Sequence, residues 1–151
     1  MKYNQVKTEL NSDMMSDKKM VENLNQVTLE GIDLKNRFLV SIGYSGGILE
    51  IQLSPSEDGG TDDVKISFDW IYSFRLTDEG DLLKLQNDLC GKLTLGIYTL
   101  NDSGYLRWFN EQSFDIHNDE KLNHYLIVTS TEIVEVISIV GPSCMTVTED
   151  L

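Results

Sequence analysis

The residues able to do chemistry are the carboxylates, two histidines, two cysteines and one serine set among glycines. Closely spaced acids recur at Asp62 with Asp63, Glu79 with Asp81, and Asp119 with Glu120. Such pairs perform acid–base catalysis when an apolar setting shifts one member's pKa. None of these lies in an apolar strand, and so acidic a chain places carboxylates side by side through composition alone. His117 and His124 stand seven residues apart, with Asp115, Asp119 and Glu120 nearby. A zinc site can be drawn from these donors, but neither an HExxH nor a paired Cys/His spacing accompanies them. Polar connecting residues ahead of a strand explain both histidines.

The remaining motifs fall short in specific ways. "SEDGGTDD" (56–63) has the oxygen content of a calcium loop. It lacks the EF-hand alternation, the closing glutamate and the flanking helices. "GYSGG" (43–47) departs from the Gly-x-Ser-x-Gly elbow because Gly46 follows Ser45 directly, and it joins two strands. Neither glycine pair precedes Lys-Ser/Thr, so neither is a phosphate loop. Cys90 closes an apolar helical stripe and reads as a small core residue. The sequence therefore predicts no catalytic residue, no metal and no cofactor, and a protein that binds rather than an enzyme.

Charge says more. There are 25 acidic against 12 basic residues, a formal net charge of −13. A nucleic-acid backbone and an anionic membrane both require a positive surface, so neither is an expected partner. Three readings of the surplus are open: an acidic surface that keeps molecules apart, one that steers a basic protein partner inward, or carboxylates that bind a metal ion. No run reaches 18 apolar residues, so no membrane span is expected. The start "MKYNQVKTELNSDMM" lacks the apolar core of a secretory signal. Cys90 and Cys144 are expected as reduced thiols in a cytoplasmic protein.

The elements that must position these groups read as follows. Residues 1–25 form a helical or loose arm, and residues 26–151 one antiparallel α+β domain. "NRFLVSIGY" and "ILEIQL" alternate around "SGG", as a β-hairpin does. "VKISFDWIYSFRL" (64–76) keeps apolar side chains at every even position. At ~3.3 Å per residue it would span roughly 43 Å, so it is expected to bend near Asp69 and pair with different neighbours along its halves. Leu82, Leu85 and Leu89 predict an amphipathic helix of about three turns, capped by Thr77 or Asp78 and stopped at Gly91. Its stripe is expected on the buried face of the meander. "KLTLGIYTL" alternates, "YLRWFNEQSF" reads as a strand running into a short helix, and "HYLIVTS" with "IVEVISIV" as a terminal hairpin. The tail from "GP" is expected to be irregular. The predicted fold is a strongly twisted antiparallel sheet of about six strands. One clear helix packs on it, with one or two shorter ones.

"SGYLRWFNEQSF" followed by "NHYLIVTSTEIVEVIS" resembles a family of small bacterial proteins. These are the immunity proteins encoded beside the toxins of contact-dependent growth inhibition and related polymorphic toxin systems. The resemblance covers residues 64–140. It implies a cytoplasmic protein, monomeric or weakly dimeric, that binds one cognate toxin C-terminal domain and blocks its active site. A nuclease toxin, with a basic cleft, fits the acidic charge. Binding residues differ between members, so none is carried over. Charge and aromatic content instead nominate the acidic loop (Glu57, Asp58, Asp62, Asp63), Asp69, the helix start (Asp78, Glu79, Asp81) and the aromatic segment with Tyr105 and Trp108. The competing reading is a small ligand-binding module or enzyme. Its pocket would lie between sheet and helix, lined by Trp70, Tyr72 and Trp108.

Overall fold

A computed structural model describes residues 23–147. In chain order the elements begin β1 (Leu24–Val27), β2 (Phe38–Ser45), β3 (Ile48–Ser54), β4 (Val64–Asp69) and β5 (Ile71–Asp78). A 3-10 turn (Glu79–Asp81), α1 (Leu83–Asp88), β6 (Gly96–Leu100) and α2 (Gly104–Gln112) follow. The last are β7 (Asn123–Val128), β8 (Glu132–Ser138) and β9 (Ser143–Thr146). The chain is α+β and antiparallel in pairing, but the expected single sheet of about six strands is two sheets. One has the order β2-β3-β4-β9 and the other β1-β6-β7-β8-β5. Leu24 and Asn25, the last residues of the expected arm, belong to β1. The rest of the expected arm lies outside the described residues.

The long alternating run explains why there are two sheets. Trp70 has a φ of 63°, a left-handed backbone that no strand contains. The amides of Trp70 and Ile71 both donate to the Gly47 carbonyl, at 2.9 and 3.2 Å. Gly46 and Gly47, at φ 59° and 86°, make the two-residue turn between β2 and β3. That turn therefore pins the corner. Before it, β4 pairs with β3 and β9; after it, β5 pairs with β8 in the other sheet. The bend near Asp69 and the change of neighbours are as expected.

The sheets pack face to face. Leu49, Ile51, Leu53, Val64, Ile66 and Phe68 of one meet Ile97, Tyr125, Ile127, Val134 and Val136 of the other. Phe68 and Tyr125 touch edge to face, with centroids 5.2 Å apart. Each such fully buried side chain contributes roughly 1.5–3 kcal/mol. In β2 the register slips between Leu39 and Ser41. Leu39 and Ile42 therefore reach the core while Val40 and Tyr44 stay exposed, contrary to a simple alternation from Phe38.

Both helices cover the other face of the five-stranded sheet. Leu89, Leu82 and Leu85 pack on Tyr98, Leu100, Leu126, Val128 and Ile133. The stripe thus lies on the terminal hairpin and β6, not on the meander. The helix is also shorter than expected: Asp78 caps the 3-10 turn by accepting from the Gly80 amide, and Leu82 (φ −103°, ψ 40°) separates that turn from α1. "YLRWFNEQ" is helical throughout, with no strand portion. The tail is ordered into β9, whose Ser143–Thr146 pair with Val64–Ser67. Among the described residues no helix is long and apolar enough to cross a membrane.

Cys90 is exposed rather than in the core. It follows α1 with a φ of 52°. Its amide donates to the Asn87 carbonyl, and that of Gly91 to the Gln86 carbonyl. This is the Schellman arrangement, with Cys90 at the left-handed position that usually holds glycine. Cys90→Gly is expected to raise stability by about 0.5–1 kcal/mol, measurable by urea denaturation.

Candidate functional site

The acidic segments lie apart in sequence, but the loops carry them to one end of the sandwich. Arg37 donates to the Asp62 carbonyl through Nη1 at 2.6 Å and to the Asp33 carbonyl through Nε at 2.6 Å. Its own carbonyl accepts from Ser130 in the β7–β8 turn at 2.9 Å. The next residue, Thr131, accepts from the Glu79 amide at 2.9 Å. One short turn thus bridges the β3–β4 loop and the start of the helical segment. Glu57, Asp58, Asp62, Asp78, Glu79 and Asp81 are all exposed at this end. Lys35 and Arg37 stand beside Asp62 here, so the two acidic segments are joined through cations rather than by direct contact.

Asp63 belongs to the same loop but does a different job. It is only 3% exposed, and its Oδ2 accepts from Gln52 at 2.8 Å and the Gly60 amide at 3.4 Å. Burial pushes its carboxyl up, but hydrogen bonds from Ser54, Gln52 and Gly60 and the charge of Arg37 outweigh that, leaving it below its ordinary value. Asp63 therefore shapes the loop instead of meeting a partner. Asp69 is exposed but stands at the opposite end of β4, roughly 20 Å away along the strand, so the structure does not bring it to the cluster.

Tyr105 and Trp108 lie on α2, over the outer face of the five-stranded sheet. Ser103 caps this helix, its Oγ accepting from the Leu106 amide at 3.2 Å. Tyr105 is buried and Trp108 half-exposed. Their rings stack 5.8 Å apart, and the Arg75 guanidinium lies 4.0 Å over the Tyr105 centroid. Beneath is a polar network that the sequence reading did not find. Glu135, 0% exposed in the middle of β8, receives a bidentate pair from Arg75 Nε and Nη2. His124, 1% exposed, places Nε2 3.0 Å from Glu135 Oε1 and Nδ1 2.8 Å from Ser103 Oγ. The Nε2 atom has no aligned hydrogen-bond partner. Burial pushes the Glu135 carboxyl up; His124 and Arg75 together bring it below its ordinary value.

Serine, histidine and glutamate in a chain resemble a hydrolase triad in composition. Here Ser103 is 1% exposed, and its Oγ already serves the helix cap and His124. Burial and these two contacts leave the Ser103 hydroxyl closed to solvent in this arrangement. Ser103→Ala removes both bonds and is expected to cost about 1–2 kcal/mol, measurable by thermal denaturation.

The side chains assigned to a common ligand pocket have separate neighbours. Trp70 stands against the β2–β3 turn, Tyr72 packs on Phe109 and His117, and Trp108 stacks on Tyr105. A cavity of about 420 Å³ beside α2 is lined by Arg107, His117, Glu120 and Lys121 among others. Arg107 is already paired with Asp102 at 2.8 Å and His117 with Glu120 at 2.5 Å. Among the described residues no three His, Cys, Asp or Glu side chains are grouped to hold a metal ion. Cys90 and Cys144 are both free thiols, and burial pushes that of Cys144 up.

Comparison with protein-family models, curated proteins and solved structures finds no match to the chain.

Proposed function

We propose that this chain is a cytoplasmic immunity protein that neutralises a basic toxin domain, a nuclease in the first instance, by occluding its active site. The observation that carries the reading is the acidic end. Exposed carboxylates of two distant segments, Glu57, Asp58 and Asp62 with Asp78, Glu79 and Asp81, are tied through Arg37 and the β7–β8 turn to one end of the two-sheet frame. A cleft built to hold phosphates accepts carboxylates in their place, because both are anionic oxygen acceptors. Opposite fields lift association toward 10⁸–10⁹ M⁻¹s⁻¹ at low salt, and an inhibitor of a lethal enzyme benefits from that speed. The resemblance of residues 64–140 to immunity proteins supports the same reading.

The test is to mix the purified chain with the toxic C-terminal domain encoded beside it. A stoichiometric complex that abolishes the toxin's activity is expected. A toxin that stays active in excess of the chain contradicts the reading. So does a small molecule retained by the chain in native mass spectrometry.

A further inference from the structure

Among the described residues, β5 is the outermost strand of the five-stranded sheet, paired with β8 on one side only. Past the register shift at Ile71–Ser73, the outer edge of Ser73–Asp78 has no strand beside it among the described residues; such an edge is a template for another strand, and proteins usually blunt it. This one is left apolar. Phe74 is 38% and Leu76 46% exposed. Tyr44 lies beside them, its ring centroid 6.2 Å from that of Phe74, and Trp70, 70% exposed, stands at the strand's start. The strand's one cation, Arg75, is matched by Glu135. Both ends are acidic: Asp69 precedes Trp70, and Asp78 leads into Glu79 and Asp81.

From this the geometry points to β5 as the place where the basic partner docks, by adding an extended strand of its own to the free edge. This assignment rests on the neutralising role proposed above. Charge selects the occupant. A second copy of this chain, paired antiparallel along β5, would bring Asp78 of each molecule beside Asp69 of the other, setting like charges together at both ends of the pair. A partner strand with lysine or arginine at both ends turns the same carboxylates into attractions. Apolar side chains at its alternate positions cover Phe74 and Leu76, as in other strand-addition complexes. β5 also runs directly into the acidic end, so one partner can engage both.

The probe is the toxic domain encoded beside the chain, with the full chain observed by hydrogen exchange. Binding is expected to protect residues 72–78. Phe74→Lys and Leu76→Lys, both at exposed positions, are expected to weaken binding tenfold or more without lowering the melting temperature. Protection confined to residues 57–62, with both variants binding normally, overturns the edge assignment and leaves the neutralising role standing. Absence of any complex overturns both. A dimer of the chain alone that Leu76→Lys dissolves also overturns the assignment, because a second copy then occupies the edge.

Discussion

Replacing Arg75 by methionine is expected to lower the unfolding free energy by about 3 kcal/mol. Glu135 is fully buried and carries its charge because Arg75 and His124 offset the loss of water around it. Removing Arg75 leaves that carboxylate facing only His124. The expected cost is at the low end for breaking a buried pair, since the Arg75 side chain is 47% exposed and water can approach from that side. The pH dependence carries the diagnostic sign. In the native protein Glu135 sits below its unfolded value of about 4.3. Its stabilising contribution is therefore complete above that value and is lost as pH falls through the folded one. In the variant, burial is opposed by one partner instead of two, so the carboxyl moves upward and takes a proton more readily. The gap between native and variant protein should narrow as pH falls from 7 toward 4. Urea denaturation across that range measures it. The double variant Arg75→Met with Glu135→Leu should recover most of the loss, because an apolar pair of similar bulk needs no charge balance. A loss that stays constant with pH contradicts the account of the network.

The second large effect concerns encounter. Reversing charge at the acidic end, with Asp58→Lys, Glu79→Lys and Asp81→Lys together, is expected to slow association with a basic toxin domain. The expected factor is roughly a hundredfold at low salt. These side chains are exposed, whereas Asp78 caps the 3-10 turn and Asp63 organises its loop, so both of those are left in place. The melting temperature should hold. Stopped-flow mixing reads the rate, and an unchanged rate would move the steering surface elsewhere on the molecule.

Local features were legible in the sequence where the physics is local. The β2–β3 hairpin follows from two glycines between alternating runs. The bend in "VKISFDWIYSFRL" follows from a length no single strand sustains. The second sheet was not legible, because the alternation continues through the corner. Val64, Ile66 and Phe68 face the sandwich core, and then a register shift between Ile71 and Ser73 resets the phase. Phe74 and Leu76 end up beside an uncovered edge with the same even numbering. β9 was hidden by its four-residue length after Gly141-Pro142. α2 was obscured by an aromatic sequence, though Ser103 and the spacing of Tyr105, Leu106 and Phe109 carried its cap and its buried face.

The acidic loop and helix start were readable as charge, but their meeting was not, because it depends on Arg37 and the β7–β8 turn. The network around Glu135 did leave a trace. A lone acid inside "IVEVIS" cannot be buried without a cation nearby. The sequence offers Arg75 and His124, each on a strand flanking β8, only once the strand order is known.

The central claim is that the acidic end draws in a basic partner. Its most direct test is the association rate of the native chain with the basic toxin domain that the proposed role requires, measured from about 20 to 200 mM salt, where the screening length shrinks from roughly 20 to 7 Å. The account predicts a rate that falls by at least tenfold across that range while dissociation changes little. A rate that does not respond to salt would contradict it.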